Sequence, residues 1–69
     1  MMYGQEALDP ILTVSETAAY LKLSKSKVYL LVQRKEIPHI RMGKSVRIRM
    51  CDLREWIDEQ IVDSPIRLS

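Results

Sequence analysis

The 69-residue sequence has no phenylalanine, one cysteine, one histidine, one tryptophan and two glycines. A lone Cys51 cannot close an internal disulfide, and Cys51 with His39 supplies too few soft ligands for a structural zinc site. No stretch approaches the roughly 18 consecutive apolar residues of a membrane span. Residues 1–11, which carry Glu6 and Asp9, hold no apolar run of signal-peptide length. Two glycines and three prolines are too few for a low-complexity linker, and 46% hydrophobic residues are too many for a disordered tail. These exclusions leave one small globular domain with a limited core, soluble and suited to a reducing cytoplasm.

Anions are almost missing from the middle of the chain. Residues 22–49 hold nine Lys and Arg against the single anion Glu36, a net +8, whereas the segments before and after it carry −3 each and bring the whole chain to +2. A cationic block of this kind is either a solvated face or a surface for an anionic partner, and the elements that carry it decide between the two.

Residues 1–11, with Gly4 and Pro10, show no periodicity and read as a flexible lead-in to a domain over 12–62. Thr13-Val14-Ser15-Glu16 has the S/T-x-x-E spacing in which hydroxyl and carboxylate satisfy each other's backbone N–H groups. A helix is predicted from there to Lys22, with Val14, Ala18 and Leu21 inward and Ala19 small enough for a second helix to approach. Ser24 is a good N-cap for a second helix over Lys25–Arg34, with Val28, Leu31 and Val32 on its inner side. Two or three intervening residues favour a sharply angled helix-turn-helix.

Pro38 stops helical continuation, and from His39 to Arg49 the period changes to two. Gly43-Lys44-Ser45 reads as the turn of a hairpin whose inner face is Ile40, Met42, Val46 and Ile48. A third helix over Asp52–Val62 turns Leu53, Trp56 and Ile57 to the core. Residues 63–69, with Pro65, read as a flexible tail. The expected fold is mainly α with a small β-hairpin, a winged helix-turn-helix in the order α-α-β-β-α.

No catalytic set emerges. Asp58 and Glu59 are adjacent and diverge on a helix, Cys51 reads as an inert thiol, and His39 as a solvated hairpin residue. Gly43-Lys44-Ser45 fails as a phosphate-binding loop because Pro38 stands where that motif needs glycine. The chain therefore reads as a binding domain, not an enzyme, with no cofactor and no metal. A helix fits the major groove of a duplex and a basic ribbon reaches the adjoining backbone or minor groove, so the expected partner is double-stranded DNA. Its expected contacts are Lys25, Ser26, Lys27, Tyr29, Gln33 and Arg34 on the second helix, with Arg41, Lys44, Ser45 and Arg47 on the wing. A protein-interaction adaptor whose basic face meets an acidic partner is the rival from another class.

The runs Leu12-Thr13-Val14-Ser15-Glu16-Thr17-Ala18-Ala19-Tyr20-Leu21, Leu23-Ser24-Lys25-Ser26-Lys27-Val28-Tyr29, Ile37-Pro38, Met42-Gly43-Lys44, Val46-Arg47-Ile48 and Asp52-Leu53-Arg54-Glu55-Trp56-Ile57 resemble the excisionase-type helix-turn-helix family, which is related to the MerR-type winged helices. The resemblance covers residues 12 to about 60. It implies a second helix in the major groove and a wing on the minor groove or backbone. In members from phages and mobile elements it implies an architectural factor that bends DNA and directs a tyrosine recombinase toward excision, alone or with further copies of itself on the DNA. Other members resemble small transcription regulators; MerR-type regulators add a long dimerisation helix and an effector-binding region for which 69 residues leave no length, so no small-molecule effector is expected. The implied setting is bacterial, in the cytoplasm at the nucleoid.

Overall fold

The structure is a computed structural model that describes residues 9–62; the expected tail and residues 1–8 of the expected lead-in lie outside the described residues. Its elements run β1 (Ile11–Thr13), α1 (Val14–Leu21), α2 (Lys25–Gln33), β2 (Ile40–Met42), β3 (Ser45–Arg49) and α3 (Met50–Glu59). The three helices and the β2–β3 hairpin make the winged helix-turn-helix that the sequence predicts. One strand is additional, because β1 pairs antiparallel with β3 and turns the hairpin into a three-stranded sheet of order β1-β3-β2.

Helix α1 begins on the capping box read from the sequence. The Glu16 N–H donates to the Thr13 hydroxyl at 3.0 Å, and the Thr13 N–H donates to the Glu16 carboxylate at 2.9 Å. The helix ends at Lys22, whose left-handed backbone (φ 59°) lets the Leu23 N–H reach back to the Ala18 carbonyl at 2.9 Å. Ser24 then caps α2, its hydroxyl accepting from the Lys27 N–H at 3.1 Å. Helix α2 closes in the same way as α1: Lys35 takes φ 58°, and the Glu36 N–H donates to the Leu31 carbonyl at 2.9 Å.

The core joins all three helices to the central strand. Val14 and Ala18 of α1, Val28 and Val32 of α2, Ile37, Ile48 of β3 and Leu53 of α3 are buried together. Thr17 is buried with them, and its hydroxyl donates to the Thr13 carbonyl at 2.9 Å, which satisfies the polar group inside the core. Ala18 makes the close approach assigned to its neighbour, while Ala19 is exposed. Trp56 is half-buried against the core, and its indole N–H donates to the Glu36 carbonyl at 2.7 Å, tying α3 to the loop after α2.

The hairpin differs from its expected register. Met42 pairs with Ser45, Arg41 with Val46 and Ile40 with Arg47, so the turn is the two residues Gly43-Lys44, with Gly43 at φ 62°. Directly opposed residues share a face of the sheet. Shortening the turn by one residue therefore moves Ile40 and Met42 to the side of Arg47, and Met42 is half exposed. The inward face is completed instead by Leu12 of β1, opposite the fully buried Ile48.

Helix α3 starts two residues before its expected first residue, and its N-cap, Arg49, makes no side-chain cap. The orphan amides are met from the other end of the domain. Met50 N–H donates to the Pro10 carbonyl at 3.0 Å and Cys51 N–H to the Asp9 carboxylate at 2.8 Å. Arg49 instead grips Asp52 with two bonds, of 2.7 and 3.1 Å.

Candidate nucleic-acid interface

The strand β1 determines how the wing meets the helices. Thr13 is both the N-cap of α1 and the partner of Arg47, so the start of α1 lies directly beside the wing. A groove of about 290 Å³ opens there, lined by Thr13, Val14 and Ser15 of the α1 start, Lys25 and Tyr29 of α2, and Lys44, Ser45, Val46 and Arg47 of the wing.

Five of the ten expected contact residues, Lys25, Tyr29, Lys44, Ser45 and Arg47, thus converge on one groove from two elements that are distant in sequence. Lys25 and Tyr29 are one helical turn apart, and Tyr29 is half exposed, so its ring and hydroxyl are available to a ligand in the groove. Arg47 is only partly exposed, and its guanidinium donates to the Val46 carbonyl at 2.9 Å, which holds the charge against the wing.

The other five are exposed but do not line the groove. With about 100° of rotation per residue, Ser26 and Gln33 point away from the buried Val28–Val32 side of α2, while Lys27 and Arg34 lie on the flank far from Lys25 and Tyr29. Arg41 sits on the outer strand β2, opposite Val46. Thr13 and Ser15 are groove residues that sequence reasoning missed. Thr13 reads there only as a helix cap and Ser15 only as a position within its spacing, and their place in the groove depends on the pairing of Thr13 with Arg47, 34 positions along the chain.

A larger hollow, of about 650 Å³, shares no lining residue with this groove. Glu36, Asp52, Glu55 and Glu59 face it against Lys35, with Trp56, Ile37, Pro38 and His39 between them. Four carboxylates repel phosphate, so size does not make it the nucleic-acid site. Among the described residues no group of three or more His, Cys, Asp and Glu is placed to hold a metal ion, and no helix is long and apolar enough to cross a membrane. The Cys51 thiol is held above its ordinary pKa by its hydrogen bond with Asp9 first and by burial second, which disfavours the reactive thiolate.

A pair of capped helices, a three-stranded wing and a cationic groove between α2 and the wing define a winged helix-turn-helix domain. The chain belongs to the helix-turn-helix domain family, whose model matches residues 11–61. It is similar to two proteins of Mycobacterium tuberculosis, from strain CDC 1551 / Oshkosh and strain ATCC 25618 / H37Rv, each named a "Putative DNA-binding protein". Each is 36% identical over 61 residues, covering 88% of this chain and 78% of the relative. No solved structure matches the chain.

Proposed function

We propose that this chain binds double-stranded DNA, with α2 in the major groove and the wing against the adjoining backbone or minor groove, and catalyses no reaction. The observation that carries this reading is the groove in which Lys25 and Tyr29 of α2 meet Lys44, Ser45 and Arg47 of the wing. A phosphate strand passing there is gripped from both sides, and each neutralised phosphate releases counterions. Lys27 and Arg34 add cations on the other flank of α2, Arg41 adds one on the outer strand, and Ser26 and Gln33, between the two flanks of α2, are the polar groups offered to base edges. Membership of the helix-turn-helix family and likeness to proteins named for DNA binding support the same reading.

Within that reading the resemblance of residues 12 to 60 supports the excisionase type: an architectural factor of a mobile element that bends attachment-site DNA for a tyrosine recombinase, in a bacterial cytoplasm. Footprinting and a bending assay on attachment-site DNA, with an excision assay alongside, test it. Tandem protected sites, a bend and stimulated excision are expected. Protection of a single promoter palindrome without effect on excision replaces it with transcriptional control. No retardation of any duplex at low salt removes DNA from the account.

A further inference from the structure

Leu30 stands where α2 has no use for it. Val28 and Val32 are buried and Leu31 packs against the core, which fixes the inner side of the helix. Leu30 lies two residues from both valines, about 200° of helical rotation away, and falls within about 60° of Ser26 and Gln33 on the outward side. It is not among the side chains packed against the core, yet it is only partly exposed. Its neighbours one turn away are Ser26, Lys27, Gln33 and Arg34, and the aliphatic stems of Lys27 and Arg34 are long enough to shelter it.

The result is a small apolar spot at the centre of a polar, cationic face. A protein partner with an apolar knob would have to bring anions at matching positions around it. A DNA duplex supplies both at once: phosphates at the rim and, on the floor of the major groove, the isolated C5-methyl group of thymine. Resting on the DNA-binding reading above, we infer that Leu30 is a specificity-determining residue that packs against a thymine methyl, with Ser26 and Gln33 making hydrogen bonds to the flanking base edges.

The test uses the full chain and a pool of duplexes with a randomised core, enriched on the wild-type protein at low salt. The enriched duplex is then remade with each thymine replaced in turn by deoxyuridine, which deletes the methyl and leaves base pairing intact. Wild-type protein loses about three- to fivefold in affinity at one thymine, the effect of one buried methyl group. Leu30→Ala keeps the wild-type melting temperature, binds the all-thymine duplex more weakly by a similar factor, and no longer distinguishes the two bases at that position.

Equal wild-type binding to every deoxyuridine duplex overturns the inference while leaving DNA binding in place, as does a Leu30→Ala protein that still senses the same methyl. The wild-type comparison needs no variant, so a folding defect does not blunt it. Failure to enrich any duplex overturns the DNA-binding reading itself and this inference with it.

Discussion

The Asp9 carboxylate caps helix α3 from 42 residues away, accepting the Cys51 N–H at 2.8 Å. Local sequence offers α3 no cap, and the chain entering β1 supplies one. Hydrogen bonding to Cys51, through its side chain first and its backbone also, holds the Asp9 carboxyl below its ordinary pKa, with Arg49 and Arg54 adding attraction.

A carboxyl with a lowered folded-state pKa stabilises the fold above its unfolded value, 3.8, and that contribution is lost as pH falls through the folded value. Asp9→Ala is therefore expected to lower the melting temperature by a few degrees at pH 7, with the difference from wild type shrinking below pH 4. Asp9→Asn, still a cap but unable to ionise, retains most of the stability and loses that pH dependence. Thermal melts of the three proteins between pH 2 and pH 7 check both.

Trp56 contributes packing and one hydrogen bond, and two substitutions separate them. Trp56→Ala is expected to cost about 3 kcal/mol. Trp56→Phe keeps much of the packing but replaces the indole donor to the exposed Glu36 carbonyl with water, at a cost of about 0.5–1.5 kcal/mol. Urea unfolding monitored by circular dichroism measures each. Wild-type stability in Trp56→Ala contradicts the docking of α3.

Lys22 and Lys35 hold left-handed backbone angles that cost a side-chain-bearing residue roughly 1–2 kcal/mol. Lys35→Gly relieves this strain, less the entropy that glycine loses on folding, and should stabilise the domain by about 0.5–1 kcal/mol. Lys35→Ala retains the strain and gives no such gain. Chemical denaturation of the pair isolates the backbone effect from the lost charge.

Lys25→Ala and Arg47→Ala remove cations from the two walls of the groove. Each is expected to weaken duplex binding about tenfold and to lower the slope of log K against log salt by about one phosphate, roughly 0.9. Arg54→Ala, on the exposed side of α3, is the matched control and should change affinity less than twofold. Fluorescence anisotropy across a salt series reads all three. Equal loss in all three variants would mean that net charge, not the groove, determines affinity.

What was legible in the sequence is what is local. The hydroxyl of Thr13 and the carboxylate of Glu16 lie three positions apart, and Ser24 three before the amide that it caps, so α1 and α2 announce themselves. Strand β1 does not, because three residues are too few to show a period and their partners, Arg47 to Arg49, are far along the chain. The period of two makes the wing legible but puts Ile40 and Met42 on the wrong face, since a turn of two residues instead of three reverses the inward set. Ile37, buried with the core, belongs to a loop with neither period, and composition alone did not mark it.

The candidate site shows the same division. Cations on α2 and the wing were evident as residue types. Which flank of α2 meets the wing was not, because that depends on the Thr13–Arg47 pairing. Leu30 does not stand out in the sequence, because an apolar residue in a helix ordinarily belongs to the core; only the burial of Val28 and Val32 shows that it points elsewhere.

Because β3 is hydrogen-bonded on one side through Arg47 to Arg49 and on the other through Ser45 to Arg47, the hairpin is anchored at its root and single-sided at its fingertip. Beyond the Thr13–Arg47 rung six residues, Arg41 to Val46, project past the end of β1. In the proposed complex these six residues are the part of the wing left to follow a groove of varying width, while Arg47, paired on both sides, is tied to the start of α1.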